Sequence, residues 1–236
     1  LPILFERLYL QVVSNKWDHA YGILEQQGRM HEKLMEFPNE NFYDGKLQLL
    51  DLNNRQKAPS YFKIYNNKYL YPRKVFIPTD EDEELNWKTN INEANVCVKV
   101  IEDLMNLFEL NNKTFTEDSI GIITPYKAQI AMIRKCLDKM PFEVTKKITI
   151  DTVERYQGGA RDIIIISFCV NKLSQLDTLV SLSHEGVDRK LNVALTRAKE
   201  QIILVGNKEL LSSNPVYKAL LNSYETYGSS TKKNST

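Results

Sequence analysis

The run at residues 163–168 (IIIISF) sets the tightest limit on what this chain can fold into. Apolar residues at successive positions leave no face for water. A strand built from them is covered on both sides, as in a parallel sheet flanked by helices. Residues 201–206 (QIILVG) repeat the pattern, and 119–124 (SIGIIT) and 148–152 supply two more short strands. Between them, Thr124 and Pro125 read as the N-cap and first residue of a helix with Ile130, Ile133 and Leu137 on one face. Residues 191–199 read as helical and lead into the strand at 201–206. Asn214 and Pro215 open a last helix that turns Val216, Ala219, Leu220 and Tyr224 inward. In the first half, 5–13 reads as helix, 75–78 as strand and 93–110 as a long helix with Ala94, Cys97, Ile101, Leu104 and Phe108 on one stripe. This alternation predicts an α/β three-layer sandwich on a mostly parallel sheet. Chemistry in such sheets sits at the carboxyl ends of the strands. TPYKAQ (from Thr124), DTVERYQGG (from Asp151) and the helix carrying LTRAK (from Leu195) are expected there.

Charge excludes a bulk polyelectrolyte. The 236 residues carry 31 Lys and Arg against 30 Asp and Glu, so a polyanion partner would be held by a local patch. Cys97, Cys136 and Cys169 form no C-x-x-C pair, which argues against a zinc knuckle or a dithiol redox site and fits a reducing compartment. The expected location is the cytoplasm, or the nucleus in a eukaryote. No apolar run approaches the roughly 18 residues of a membrane span, and no secretory leader is visible. A start at Leu1 reads as the middle of a longer protein. No G-x-x-x-x-G-K-[ST] loop occurs and no D-E-x-x pair reads as a magnesium site, so the residues alone define no metal site. His19, His31 and His184 are scattered and read as surface or helix-start residues.

One stretch is strongly biased. From Arg55 to Lys74 there are six basic residues (Arg55, Lys57, Lys63, Lys68, Arg73, Lys74) and no acid, interleaved with Tyr61, Phe62, Tyr65, Tyr69 and Tyr71. Cations among aromatics suit single-strand binding. The competing reading is an inserted hairpin over 51–74, turning at Asn66-Asn67 and packing its tyrosines on the domain. Five acids follow at Asp80–Glu84, and the polar end, 228–236, reads as a disordered tail on a domain spanning 1–227.

Five segments in order resemble the second RecA-like domain of superfamily 1 helicases, in the branch of the nonsense-mediated-decay RNA helicase and its DNA-helicase relatives. They are LEQQGRMHEKLMEFPNENFYDGKL (24–47), NINEA (90–94), IGIITPYKAQI (120–130), TVERYQGGARDIIIIS (152–167) and DRKLNVALTRAKEQIILVGN (188–207). LPILFERL is also similar to the stretch that follows the family's first core domain. The resemblance implies a RecA-like, P-loop-NTPase-type fold that lacks the P-loop itself. It implies that ATP and Mg are held mainly by a first RecA-like domain of the same chain, and that single-stranded nucleic acid, DNA or RNA, is the substrate. Arg29 and Arg197 match the arginines that reach the γ-phosphate, a task suited to a planar guanidinium that forks onto oxygens. Gln157 and Gly158 match the Q-G turn that couples nucleotide state to grip. Thr124, Pro125, Tyr126 and Thr152 match nucleic-acid contacts, although an N-cap role would account for Thr124 equally well.

Two positions depart from the family. Gly28 stands where the family has an adenine-stacking Tyr, and Ala160 where it has an acid for the ribose. These departures keep open a degenerate, non-hydrolysing module that binds nucleic acid or protein. An unrelated doubly wound enzyme would need a Gly-rich first turn, which is absent. A lone domain of the helicase kind is expected to be inactive.

Overall fold

A computed structural model describes residues 8, 11–12, 14–15, 25–50, 54–65, 70, 72–82, 87–156, 159–182 and 187–227. Its strands are β1 (Gln26–Gln27), β2 (Gln48–Leu49), β3 (Lys74–Pro78), β4 (Ile120–Ile123), β5 (Thr149–Asp151), β6 (Arg161–Ser167), β7 (Ala198–Gly206) and β8 (Glu225–Thr226). Its helices are α1 (Glu32–Phe42), α2 (Ile91–Leu110), α3 (Lys127–Leu137), α4 (Phe142–Thr145), α5 (Leu176–Leu179), α6 (Arg189–Leu195), α7 (Lys208–Ser212) and α8 (Pro215–Asn222). β1 and β2 form a small parallel pair. The other six make one sheet in the order β5-β4-β6-β7-β3-β8, and every described pairing in it is parallel.

The apolar runs do what their pattern requires. Along β6, Ile163 and Ile165 pack with α2 and α3, while Ile164 and Ile166 pack with α1, α6 and α8. Along β7, Ile203 and Val205 take the first side, and Ile202 and Leu204 the second. Two cores therefore lie on opposite faces of one sheet, the three-layer arrangement expected from the sequence. On α2 the whole predicted stripe is buried, and Asn90 caps the helix by accepting from the Glu93 N–H.

Several local expectations are corrected. The helix after β4 begins at Lys127 with Tyr126 as its N-cap residue, because Tyr126 keeps extended dihedrals (φ −123°, ψ 134°); Thr124 is not a cap. The helix predicted over 191–199 ends at Leu195, and Ala198 and Lys199 already belong to β7, where Ala198 pairs with Arg161. On α8, Tyr217 is buried and Ala219 faces solvent, because the Tyr217 hydroxyl reaches Asp188 at 3.1 Å.

Within 51–74, the described residues form a 3-10 turn (Arg55–Lys57) and irregular chain, with no strand pairing before β3. Phe62 is buried against Phe108, and Tyr61 donates to Asp162 at 2.9 Å. This packing favours the structural reading of that stretch. Asn66-Asn67, Lys68, Tyr69 and Tyr71 lie outside the described residues, as do His19, His184 and the tail at 228–236. The helix predicted over 5–13 does too, except at residue 8 and residues 11–12, which are helical.

Candidate functional site

Arg29 and Arg197 come from opposite ends of the sequence and meet. Arg29 follows β1, in a loop whose path is set by Gln27: its side-chain oxygen accepts from the N–H groups of Arg29 (3.0 Å) and Met30 (2.7 Å). Arg197 lies between α6 and β7. The Arg29 Nη1 donates to the Thr196 carbonyl at 2.9 Å, one residue before Arg197. Arg197 Nε donates to Val193 at 3.3 Å. Its guanidinium is half-buried, and burial and the nearby Arg29 charge hold its pKa below the usual arginine value. Among the described residues, neither arginine forms a salt bridge with a carboxylate. Two like charges so placed favour an anion with several oxygens.

The edge on which they sit differs from the sequence expectation. Arg197 precedes β7, and its carbonyl accepts from the Arg161 N–H at 3.0 Å, where β6 begins. The arginine pair therefore occupies the amino edge of the sheet. LTRAK was expected at the carboxyl edge; α6 starts there but runs back antiparallel to β7 and delivers Arg197 to the other rim.

The carboxyl edge holds the second group. Thr124 follows β4 and is buried, yet its hydroxyl has no hydrogen-bond partner among the described residues. It lines a cavity with Pro125, Val153, Glu154, Lys190 and Leu191. Lys190 and Glu154 pair at 2.9 Å at this cavity. Thr152 is buried at the end of β5, and its hydroxyl is shared with Glu154. Tyr126 is half-buried, which raises its pKa. Thr124, Pro125, Tyr126 and Thr152 thus gather at one rim. Gln157 and Gly158 lie outside the described residues.

A buried polar network stiffens this rim. Gln129 on α3 exchanges two hydrogen bonds with the Asn90 backbone (2.8 and 2.9 Å). Asn90 reaches Asn171 at 2.7 Å. Glu93, fully buried, accepts from the Ser167 hydroxyl at 2.7 Å and from the Cys169 N–H. Burial outweighs these bonds and raises its pKa to about 7.

The sequence reading missed Glu200 as a partner for the basic stretch. Glu200 is buried in β7 and binds both Arg55 (2.5 Å) and Arg73 (2.8 Å). No local signal marks it, since Lys199 and Gln201 flank it in the sequence. His31 takes the helix-start role read for the histidines: its ring accepts from the Lys33 N–H as the N-cap of α1. Among the described residues no group of three or more His, Cys, Asp or Glu could hold a metal, and no helix is long and apolar enough to cross a membrane.

The family model described as "AAA domain" matches residues 3–209. An uncharacterized ATP-dependent helicase of Methanocaldococcus jannaschii is 32% identical over 231 residues, covering 92% of this chain and 30% of its own length. A DNA replication ATP-dependent helicase/nuclease of Arabidopsis thaliana is 32% identical, covering 93% of the chain and 16% of its own. A regulator of nonsense transcripts 1 of Dictyostelium discoideum is also 32% identical, covering 94% and 16%. The chain spans less than a third of the length of each of these relatives.

Proposed function

This chain belongs to the AAA-domain family, among proteins of the superfamily 1 helicase kind, and from that premise we propose that it is the second RecA-like motor domain of an ATP-dependent helicase or translocase. The observation that carries the proposal is the meeting of Arg29 and Arg197 on one rim with no carboxylate paired to either among the described residues. Their free donors fit phosphate oxygens. ATP, when bound, would supply a γ-phosphate that bridges the two motor domains and a phosphoanhydride bond whose cleavage would release that bridge. The part of this chain is to hold two fixed positive charges where the γ-phosphate gains negative charge. Mg and the rest of the nucleotide fall to the first RecA-like domain, outside residues 1–227, so this domain alone is inactive.

The opposite rim serves the nucleic acid. Thr124, Pro125, Tyr126 and Thr152 line it, and the Thr124 hydroxyl, without a partner among the described residues, is a donor left for a backbone phosphate of a single strand. DNA and RNA both satisfy that chemistry, and the free thiols suit a reducing cytoplasm or nucleus. Gly28, with no ring, and Ala160, with no carboxylate, favour a second reading: a module that grips nucleic acid without hydrolysis.

One experiment separates the two. In the full-length protein, Arg197→Ala is expected to lower kcat about 10³-fold and leave single-strand binding without nucleotide unchanged. Arg197→Lys restores only part of the rate, because an ammonium cannot fork onto two oxygens. Wild-type protein without single-strand-stimulated ATP turnover establishes the module instead.

A further inference from the structure

Four successive carbonyls of the loop that carries Arg29 are held by the side chains of two neighbouring residues. Arg55 Nη2 donates to Gly28 (3.2 Å) and Arg29 (2.5 Å). Gln56 Nε2 donates to Gln27 (3.0 Å) and Met30 (2.9 Å). Both belong to the 3-10 turn Arg55–Lys57, 26 or more residues further along the chain. We propose that Arg55 and Gln56 are positioning residues for Arg29, with the buried Glu200–Arg73 pair as the anchor of the clamp. The proposal rests on the reading of Arg29 as a γ-phosphate arginine.

The way Arg55 is bonded argues for a clamp and against a ligand. Its Nη1 is taken by Glu200 Oε1 (2.5 Å) and the Lys199 carbonyl (3.4 Å), and its Nη2 by the two loop carbonyls. No terminal nitrogen is left to meet an incoming anion. The charge of Arg55 is also neutralised locally, whereas among the described residues those of Arg29 and Arg197 meet no carboxylate.

The anchor explains a costly feature. Glu200 is 3% exposed, and a buried carboxylate without partners is strongly unfavourable. Arg73, 7% exposed, meets it at 2.8 Å and uses its other terminal nitrogen on the Ala58 carbonyl at 2.7 Å. Ala58 directly follows the turn, and its carbonyl is also met by His31 Nε2 at 2.9 Å. The His31 N–H in turn donates to Lys199, the residue before Glu200, at 2.9 Å. Loop 27–31, turn 55–58 and the start of β7 are closed into one hydrogen-bonded ring. Such a ring fixes the point from which the Arg29 side chain departs. Displacement of a catalytic group by about 1 Å costs roughly 10²-fold in rate.

The test uses the full-length protein, ATP, and a single-stranded oligonucleotide of DNA and one of RNA. Arg55→Ala is expected to lower kcat by between about 10-fold and 10²-fold, with the KM for ATP and oligonucleotide affinity changed less than about threefold and thermal melting little moved, since Glu200 keeps Arg73. Gln56→Ala, which leaves the Met30 carbonyl its bond from Gln27 (3.0 Å), is expected to act in the same direction more weakly. The decisive reading is the double variant. In an Arg29→Ala background, Arg55→Ala should cost nothing further, because a clamp has no work without its finger. An equal cost in both backgrounds overturns the proposal, as does an unchanged kcat in both clamp variants while Arg29→Ala is impaired. Normal turnover in Arg29→Ala itself overturns the reading of Arg29, and the clamp proposal with it.

Discussion

Glu93→Gln should remove a pH dependence that the wild-type fold carries. Glu93 is fully buried at the start of α2 and is bound by Ser167 and by the Cys169 N–H. Its pKa is 4.5 in an ordinary environment and about 7 in the fold, chiefly because burial penalises the charge. Between those two values the folded chain keeps a proton that the unfolded chain has released. Stability therefore falls as pH rises through this window and levels off above about 7. The difference corresponds to about 3 kcal/mol. A glutamine keeps an acceptor for Cys169 and never ionises. The assay is urea unfolding of wild type and Glu93→Gln at pH values from about 4.5 to 8. Their stability difference should swing toward the variant as pH rises, by up to about 3 kcal/mol. His31 titrates in part of the same range with the opposite sign. Burial and Arg73 lower its pKa, so its contribution is lost as pH falls, but it is common to both proteins and cancels. A stability difference that stays flat from about pH 5 to 7 refutes the assignment.

Tyr156 has a buried hydroxyl with no partner among the described residues, pressed so closely on Gly121 that a Cβ there would lie 1.8 Å from it. Tyr156→Phe removes an unsatisfied polar atom and is expected to stabilise the fold by about 1 kcal/mol, read as a higher urea midpoint; a loss of stability would reveal a bond to the hydroxyl. Thr124→Val keeps the shape and deletes the unpartnered hydroxyl. Folding should be unaffected within about 1 kcal/mol, while single-strand affinity of the full-length protein drops with its log–log salt slope unchanged, since a neutral hydroxyl releases no counterion. An unchanged affinity would remove Thr124 from the groove.

The layers were legible because burial on both faces writes itself into the sequence as an unbroken apolar run, and IIIISF and QIILVG have no other economical use. The convergence of Arg29 and Arg197 was legible only through motif resemblance. No local pattern joins residues separated by 168 positions. The edge they occupy was misread, because LTRAK follows a helix and the sequence does not mark where that helix has crossed the sheet. Ala198 and Lys199 continue a helical pattern, but pairing with β6 draws them into β7. Thr124-Pro125 carries a good helix-start signal, and the extended Tyr126 overrides it. The Arg55–Glu200 pair was hidden for the plainest reason: its partners lie 145 residues apart, and each looks ordinary beside its own neighbours.

Helix α6 begins beside Lys190 and Glu154 at one rim and ends beside Arg197 at the other. Its seven residues span about 10 Å. Leu191, Ala194 and Leu195 bed it into the core along that length. A short rod seated in this way transmits push and pull without stretching. A shift imposed at the Lys190 end must reappear at the Arg197 end at nearly full amplitude, and the reverse holds for a pull on Arg197. If the domain works as the proposed motor half, its stroke cannot then be stored as strain inside this body. On that reading it would be taken up at the joint with the first motor domain, and the rotation allowed there would set the distance moved for each nucleotide consumed.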